Sequence, residues 1–191
     1  AHDHGVGTAT GRHRRRLVAV LVVSAAVFVL QVIGGLVSGS LALLADAGHV
    51  LTDSTGLVIA LIAASLASRP ATPSRTFGLQ RVEILAALTN GLLLVGIAVW
   101  VLIQAARRWS TPEQVDSGLM LGVAVVGAVA NTVGLLILRG GKDESLNLRG
   151  AYLEVLGDLI GSVAVIVAAV VIAVTGWVRA DAVASLAIVV L

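Results

Sequence analysis

Residues 41–66 read LALLADAGHVLTDSTGLVIALIAASL. The run is long enough to cross a bilayer, which takes about 20 mainly apolar residues. Asp46, His49 and Asp53 nevertheless lie inside it. A charge at the centre of a membrane helix costs ~2.5–3.5 kcal/mol on insertion scales. His49 and Asp53 stand at i and i+4, which puts them on one helix face about one turn apart.

Working outward, Leu17–Val37 forms a first apolar run, Ile84–Ala106 a third and Leu119–Leu138 a fourth. Ala151–Thr175 is a fifth, and a sixth starts at Ala182. The three prolines, Pro70, Pro73 and Pro112, fall between runs, where a missing N–H does no harm. The pattern predicts an all-α membrane protein, a six-helix transmembrane bundle with helices over about 17–38, 41–68, 82–108, 117–138, 149–176 and 181–191. Residues 1–16 form an expected cytoplasmic tail, basic and containing histidine, and residues 17–191 the membrane domain. The chain begins at Ala1 and stops inside an apolar run, so both ends are expected to be trimmed and the sixth helix truncated.

Composition supports the membrane reading. Hydrophobic residues make up 58% of the 191 and charged residues 13%, against about 25% charged in a soluble domain; mean hydropathy is +1.00. Without cysteine there are no disulfides and no thiolate metal sites, and the lone Met120 argues against a soft copper(I) path. The pI near 9.9 reflects loop charge rather than nucleic-acid binding, since no basic–aromatic interleaving is present to stack bases. With the N-terminus cytoplasmic, Arg12, Arg14, Arg15, Arg16, Arg69, Arg75, Arg81, Arg139, Lys142 and Arg149 are inside, and Arg107, Arg108 and Arg179 outside. That is a clear positive-inside bias, and it puts Trp109 and Trp177 at the outer interface.

The fifth run holds a second ionisable pair at the same spacing. Glu154-Val155-Leu156-Gly157-Asp158, then Gly161, matches His49-Val50-Leu51-Thr52-Asp53, then Gly56. Three helices apart, the segments run oppositely across the membrane, as in an inverted repeat with its substrate site near the midplane. His49, Asp53, Glu154 and Asp158 together offer four ligands, which suits a tetrahedral zinc site with bonds of about 2.0–2.2 Å. The blander reading, hydrogen bonding between helices, fits one isolated polar residue better than four ionisable groups in two matched pairs.

Other polar residues have blander expectations. Asn90 and Asn131 read as hydrogen-bond partners between helices. Asp181 reads as the N-cap of its own helix. Asp46 reads equally as the lining of an outer vestibule or as a packing group, and Glu83 as a local partner of Arg81. Gly35/Gly39, Gly118/Gly122 and Gly157/Gly161 have the spacing of close helix packing. His2, His4 and His13 belong to a solvated tail or a weak metal-capturing one.

The stretch Ser40–Asp53, the stretch Phe77–Gly91 and residues Leu153–Ser162 resemble the second, third and fifth helices of the cation diffusion facilitators. The resemblance covers about Leu17 to Leu191. It implies export of zinc or related divalent ions in exchange for protons, and homodimers. Multi-pass residence in the plasma membrane, the inner membrane of a bacterial cell, is expected. A cytoplasmic metal-binding domain often follows the sixth helix in this family and is absent from this chain. Zinc-transporting members usually carry His-x-x-x-Asp on the fifth helix, where this sequence has Glu154; cadmium, manganese, iron or cobalt are therefore more plausible than with two histidines. Ser68–Thr76 has neither Asp nor His, so no second site is expected in that loop.

Three carboxylates and a neutral imidazole leave a divalent-metal site one charge negative, whereas two of each would leave it neutral. Empty, three nearby carboxylates in a low dielectric cannot all stay ionised, and metal binding displaces protons from its ligands. Alternating access makes that competition an antiport. No His-Glu-x-x-His or Gly-x-Ser-x-Gly is present, so an intramembrane hydrolase is disfavoured and the protein is not expected to be an enzyme. A proton-coupled carrier of small organic cations is the alternative, disfavoured by only 3% aromatic residues.

Overall fold

The computed structural model describes the backbone of residues 6–67, 81–140 and 146–191, and side chains for most of these. His2, Asp3 and His4, the His13 side chain, the Arg81–Glu83 pair and the Ser68–Thr76 loop lie outside the described residues or side chains.

Six helices and no strand occur among the described residues: α1 (Val6–Ser38), α2 (Leu41–Ala67), α3 (Arg81–Ser110), α4 (Ser117–Arg139), α5 (Leu146–Thr175) and α6 (Arg179–Val190). The all-α bundle expected from the apolar runs is therefore the observed fold. Segments Arg15–Ser38, Ala87–Ser110, Ser117–Arg139 and Leu148–Thr175 are each long and apolar enough to cross a membrane. The largest departure is at the start, where α1 begins at Val6 within the expected tail. No proline interrupts residues 6–38, and lengthening an existing helix requires no new nucleus.

Helices α1, α2, α4 and α5 pack as a group, with α4 on α5 and α1 between α2 and α4. Helix α6 lies against α2 and α5, and α3 touches α2 and α6 on the flank. The outward face of α3, including Leu88, Leu92, Val95, Val99 and Leu102, is exposed and apolar, as a lipid-facing surface requires.

Two apolar clusters divide the bundle along its length. One gathers Leu41, Leu43 and Ala45 of α2 with Met120 and Ala124 of α4, Val165 and Ala169 of α5 and Ala184 of α6. The other gathers Val20, Leu138, Leu148 and Val155 at the opposite end. Asn131 on α4, and Asp158 and Ser162 on α5, fall between them, so a polar layer crosses the middle of an apolar bundle.

The end containing the α1–α2 turn is tied together by Asp181. The sequence suggests that Asp181 caps its own helix, but the structure uses it to cap another. Its carboxylate accepts from Leu41 N at 2.7 Å, Ala42 N at 3.1 Å and Ser40 Oγ at 2.6 Å. The two amides are orphan donors of the first turn of α2, whereas α6 starts from Val178 with no side-chain cap. Arg108 at the end of α3 joins the knot, with Nη1 3.0 Å from Asp181 Oδ2 and 2.6 Å from Gly39 O, and Nη2 2.9 Å from Glu113. Gly39 occupies φ +71° in this turn, a conformation that favours glycine. At the same end Arg179 donates to Trp109 O at 3.0 Å.

Candidate metal centre

The site is built from α2 and α5, which cross the layer antiparallel. Their register sets Asp46 beside Ser162, with a 3.4 Å contact, and His49 beside Gly157 and Asp158. Asp53 comes next to the Glu154 level, where its charge bears on Glu154. Gly161 permits this approach. A Cβ on Gly157 would stand 3.8 Å from His49 Nε2, and one on Gly161 would overlap Asp46 Oδ1. Of the three glycine pairs singled out by spacing, this one therefore lies at a helix contact. Gly39 is a turn residue, and Gly122 faces open space.

One ligand atom from each of His49, Asp53 and Asp158 lies within 4.8 Å of the other two. His49 Nε2 and Asp53 Oδ2 are 3.6 Å apart, near the ~3.4 Å edge of a tetrahedron with bonds of about 2.1 Å. Asp158 is buried, and its Oδ1 has no hydrogen-bond partner. A buried carboxylate oxygen without a partner is costly, and a cation among the three groups would satisfy it. Thr52 Oγ1 donates to His49 O at 2.7 Å, steadying the backbone between the two α2 groups. Glu154 is half-buried one turn from Asp158 and does not enter the group of three; its charge acts on Asp158.

A second polar cluster adjoins this one. Asp46, which the sequence leaves between vestibule and packing group, is fully buried. Gln31 Nε2 of α1 and Ser162 Oγ of α5 both donate to its Oδ2, and Asn131 Nδ2 of α4 donates to Ser162 Oγ at 3.5 Å. Asn131 thus does join two helices. Asn90 Oδ1 has no partner among the described residues. Gln31 and Ser162 are not among the residues that spacing singles out. The available signal was a lone amide in the first apolar run and a hydroxyl one turn beyond Asp158.

Residues 17–191 match the family described as cation efflux transmembrane domain. The chain is 45% identical over 181 residues to the metal cation efflux system protein CzcD of Cupriavidus metallidurans, covering 95% of this chain and 56% of that protein. It is 43% identical over 190 residues to the zinc transporter ZitB of Escherichia coli, covering 97% and 61%. It is 40% identical over 192 residues to a cadmium, cobalt and zinc/H(+)-K(+) antiporter of Bacillus subtilis, covering 100% and 60%. The chain spans about three fifths of the length of these relatives.

Proposed function

The chain belongs to the cation efflux family, the cation diffusion facilitators, and on that premise we propose that it exports a divalent metal ion, zinc first, in exchange for protons. The observation that carries this reading is the meeting of His49, Asp53 and Asp158 within 4.8 Å in the middle of a membrane bundle. An imidazole with carboxylates suits zinc, and the oxygen-rich balance also admits cadmium, cobalt or manganese. The relatives named for zinc, cadmium, cobalt and protons support both the cargo and the counter-ion. The family is one of transporters, and transport rather than catalysis is the proposed activity.

The metal ligands are His49, Asp53 and Asp158, with Glu154 as the fourth, closing from one turn away when the ion binds. Because the ligands must be deprotonated to bind, metal entry expels protons and proton entry expels metal. The N-terminus lies in the cytoplasm, in keeping with the Lys and Arg bias. Exposure falls along α2 toward its capped end, from 27% for the side chains of Asp53 and His49 to nothing at Asp46 and Leu43. In the proposed orientation that buried end is external. The protein works in the plasma membrane as a multi-pass homodimer.

Reconstituted into proteoliposomes, the protein should move zinc in response to an imposed pH gradient and lose that flux to a protonophore. Zinc flux indifferent to both would overturn antiport. Transport of organic cations without zinc would overturn the cargo.

A further inference from the structure

Asp46 is the buried carboxylate that the metal site does not use. It is fully buried, and the two donors that reach it, Gln31 Nε2 and Ser162 Oγ, are neutral. A buried anion needs a cationic partner or a proton. Among the described side chains, the groups on its own helix are His49 and Asp53, whose ion-pair contact is with each other. Helix α5 contributes Glu154 and Asp158 to the same layer and Arg149 near its far end. Helix α1 contributes Arg15 and Arg16 at the far end, where Arg16 lies by Gly140. Helix α3 contributes Arg107 and Arg108 at the turn end, and α6 contributes Arg179 and Asp181 there; Arg108 is taken by Asp181 and Glu113. Helix α4 contributes Asp116 and Arg139 at its two ends. No described cation pairs with Asp46.

The surroundings suit a group that gains and loses a proton. Gln31 Oε1 and Asp46 Oδ1 are both buried without partners. With Asp46 ionised, the Gln31 amide donates to it. With Asp46 protonated, a half-turn of that amide presents Oε1 as acceptor for the new O–H, since an amide carries both functions. Ser162 can likewise donate or accept. The pair therefore has a hydrogen-bonded arrangement for each protonation state.

We propose that Asp46 is a proton-carrying site of the transport cycle, distinct from the metal ligands, with Gln31 as the amide that reverses its hydrogen bond as the proton loads and leaves. This rests on the reading of the protein as a metal–proton antiporter. Coupling needs no shared ligand atom. Asp46 lies three residues before His49, about one turn along α2, and its charge is felt at Asp158. A divalent ion at the metal centre stabilises the Asp46 anion and drives off its proton. A proton on Asp46 weakens the field that holds the ion, and linkage makes the two effects equal.

The test is metal-induced infrared difference spectroscopy together with proton release, on the full protein in lipid nanodiscs with zinc alone as titrant. Zinc should remove a protonated-carboxyl C=O band from the wild type and release protons to the medium. In Asp46→Asn the Asp46 component of that band should be missing while the component from protonated ligands remains, proton release per zinc should fall by up to one, and zinc should still bind. Gln31→Ala should keep the band but shift it, because its acceptor is gone. An unchanged band and unchanged proton release in Asp46→Asn would overturn the proposal. Should that variant not fold, an unshifted band in Gln31→Ala would overturn it. A wild type that binds zinc without releasing protons would sink the antiport reading itself, whereas unchanged release in Asp46→Asn alone would sink only this inference.

Discussion

The carboxylate of Asp46 rests on the bare Cα of Gly161, where a Cβ would overlap Asp46 Oδ1. Gly161→Ala should therefore push α2 from α5, separate His49 from Asp158 and weaken zinc binding. Gly122→Ala, at a glycine with nothing within 4 Å, should leave binding unchanged and favour the helix by up to about 1 kcal/mol. Zinc titration and thermal melting of the two variants in detergent check this. Equal zinc affinity in both would show that the α2–α5 approach does not set the site.

Asp181 should matter more for folding than its place on a short helix suggests. Asp181→Ala leaves Leu41 N and Ala42 N without their acceptor and strips Arg108 of its buried partner. Breaking a buried ion pair on one side costs about 3–5 kcal/mol. Glu113→Ala removes an exposed partner of the same arginine and should cost about 1 kcal/mol or less. Thermal unfolding in detergent ranks the two, and comparable losses would contradict the capping role.

His49→Ala and Asp158→Ala should each weaken zinc binding by more than the roughly 10–100-fold typical of changes to a ligand's hydrogen-bond partner. Competition with a fluorescent zinc chelator measures this. Near-normal affinity in a folded variant removes that residue from the ligand set.

Glu154 stands outside the group of three, so Glu154→Gln should weaken zinc binding less than Asp158→Asn. Glu154→His should raise zinc over manganese, because imidazole suits zinc and carboxylate suits manganese. It should also steepen the pH dependence of affinity near ~6.5, where an unperturbed imidazole loses its proton. An unchanged metal preference and pH profile would show that Glu154 does not close onto the ion.

Local pattern in the chain was enough to announce the bundle and to single out the ionisable pairs inside it. Apolar runs long enough to span a bilayer leave the backbone no choice but helix, because lipid offers it no other hydrogen-bond partner. The spacing of His49 with Asp53, and of Glu154 with Asp158, places each pair on one face through helix geometry alone. The cost of burying such groups in lipid then marks them as functional.

Contacts between distant segments had to come from the tertiary structure. Periodicity says which residues share a face but not which face meets which, nor at what register. The Asp46–Ser162 contact joins residues 116 apart in sequence, and Asp181 caps a helix that starts 140 positions before it, at Leu41. Gln31 is only a lone amide in an apolar run until the packing of α1 on α2 brings it to Asp46. The same packing gathers three of the four expected ligands and holds Glu154 one turn from Asp158, because side-chain reach depends on the α2–α5 separation that Gly161 permits.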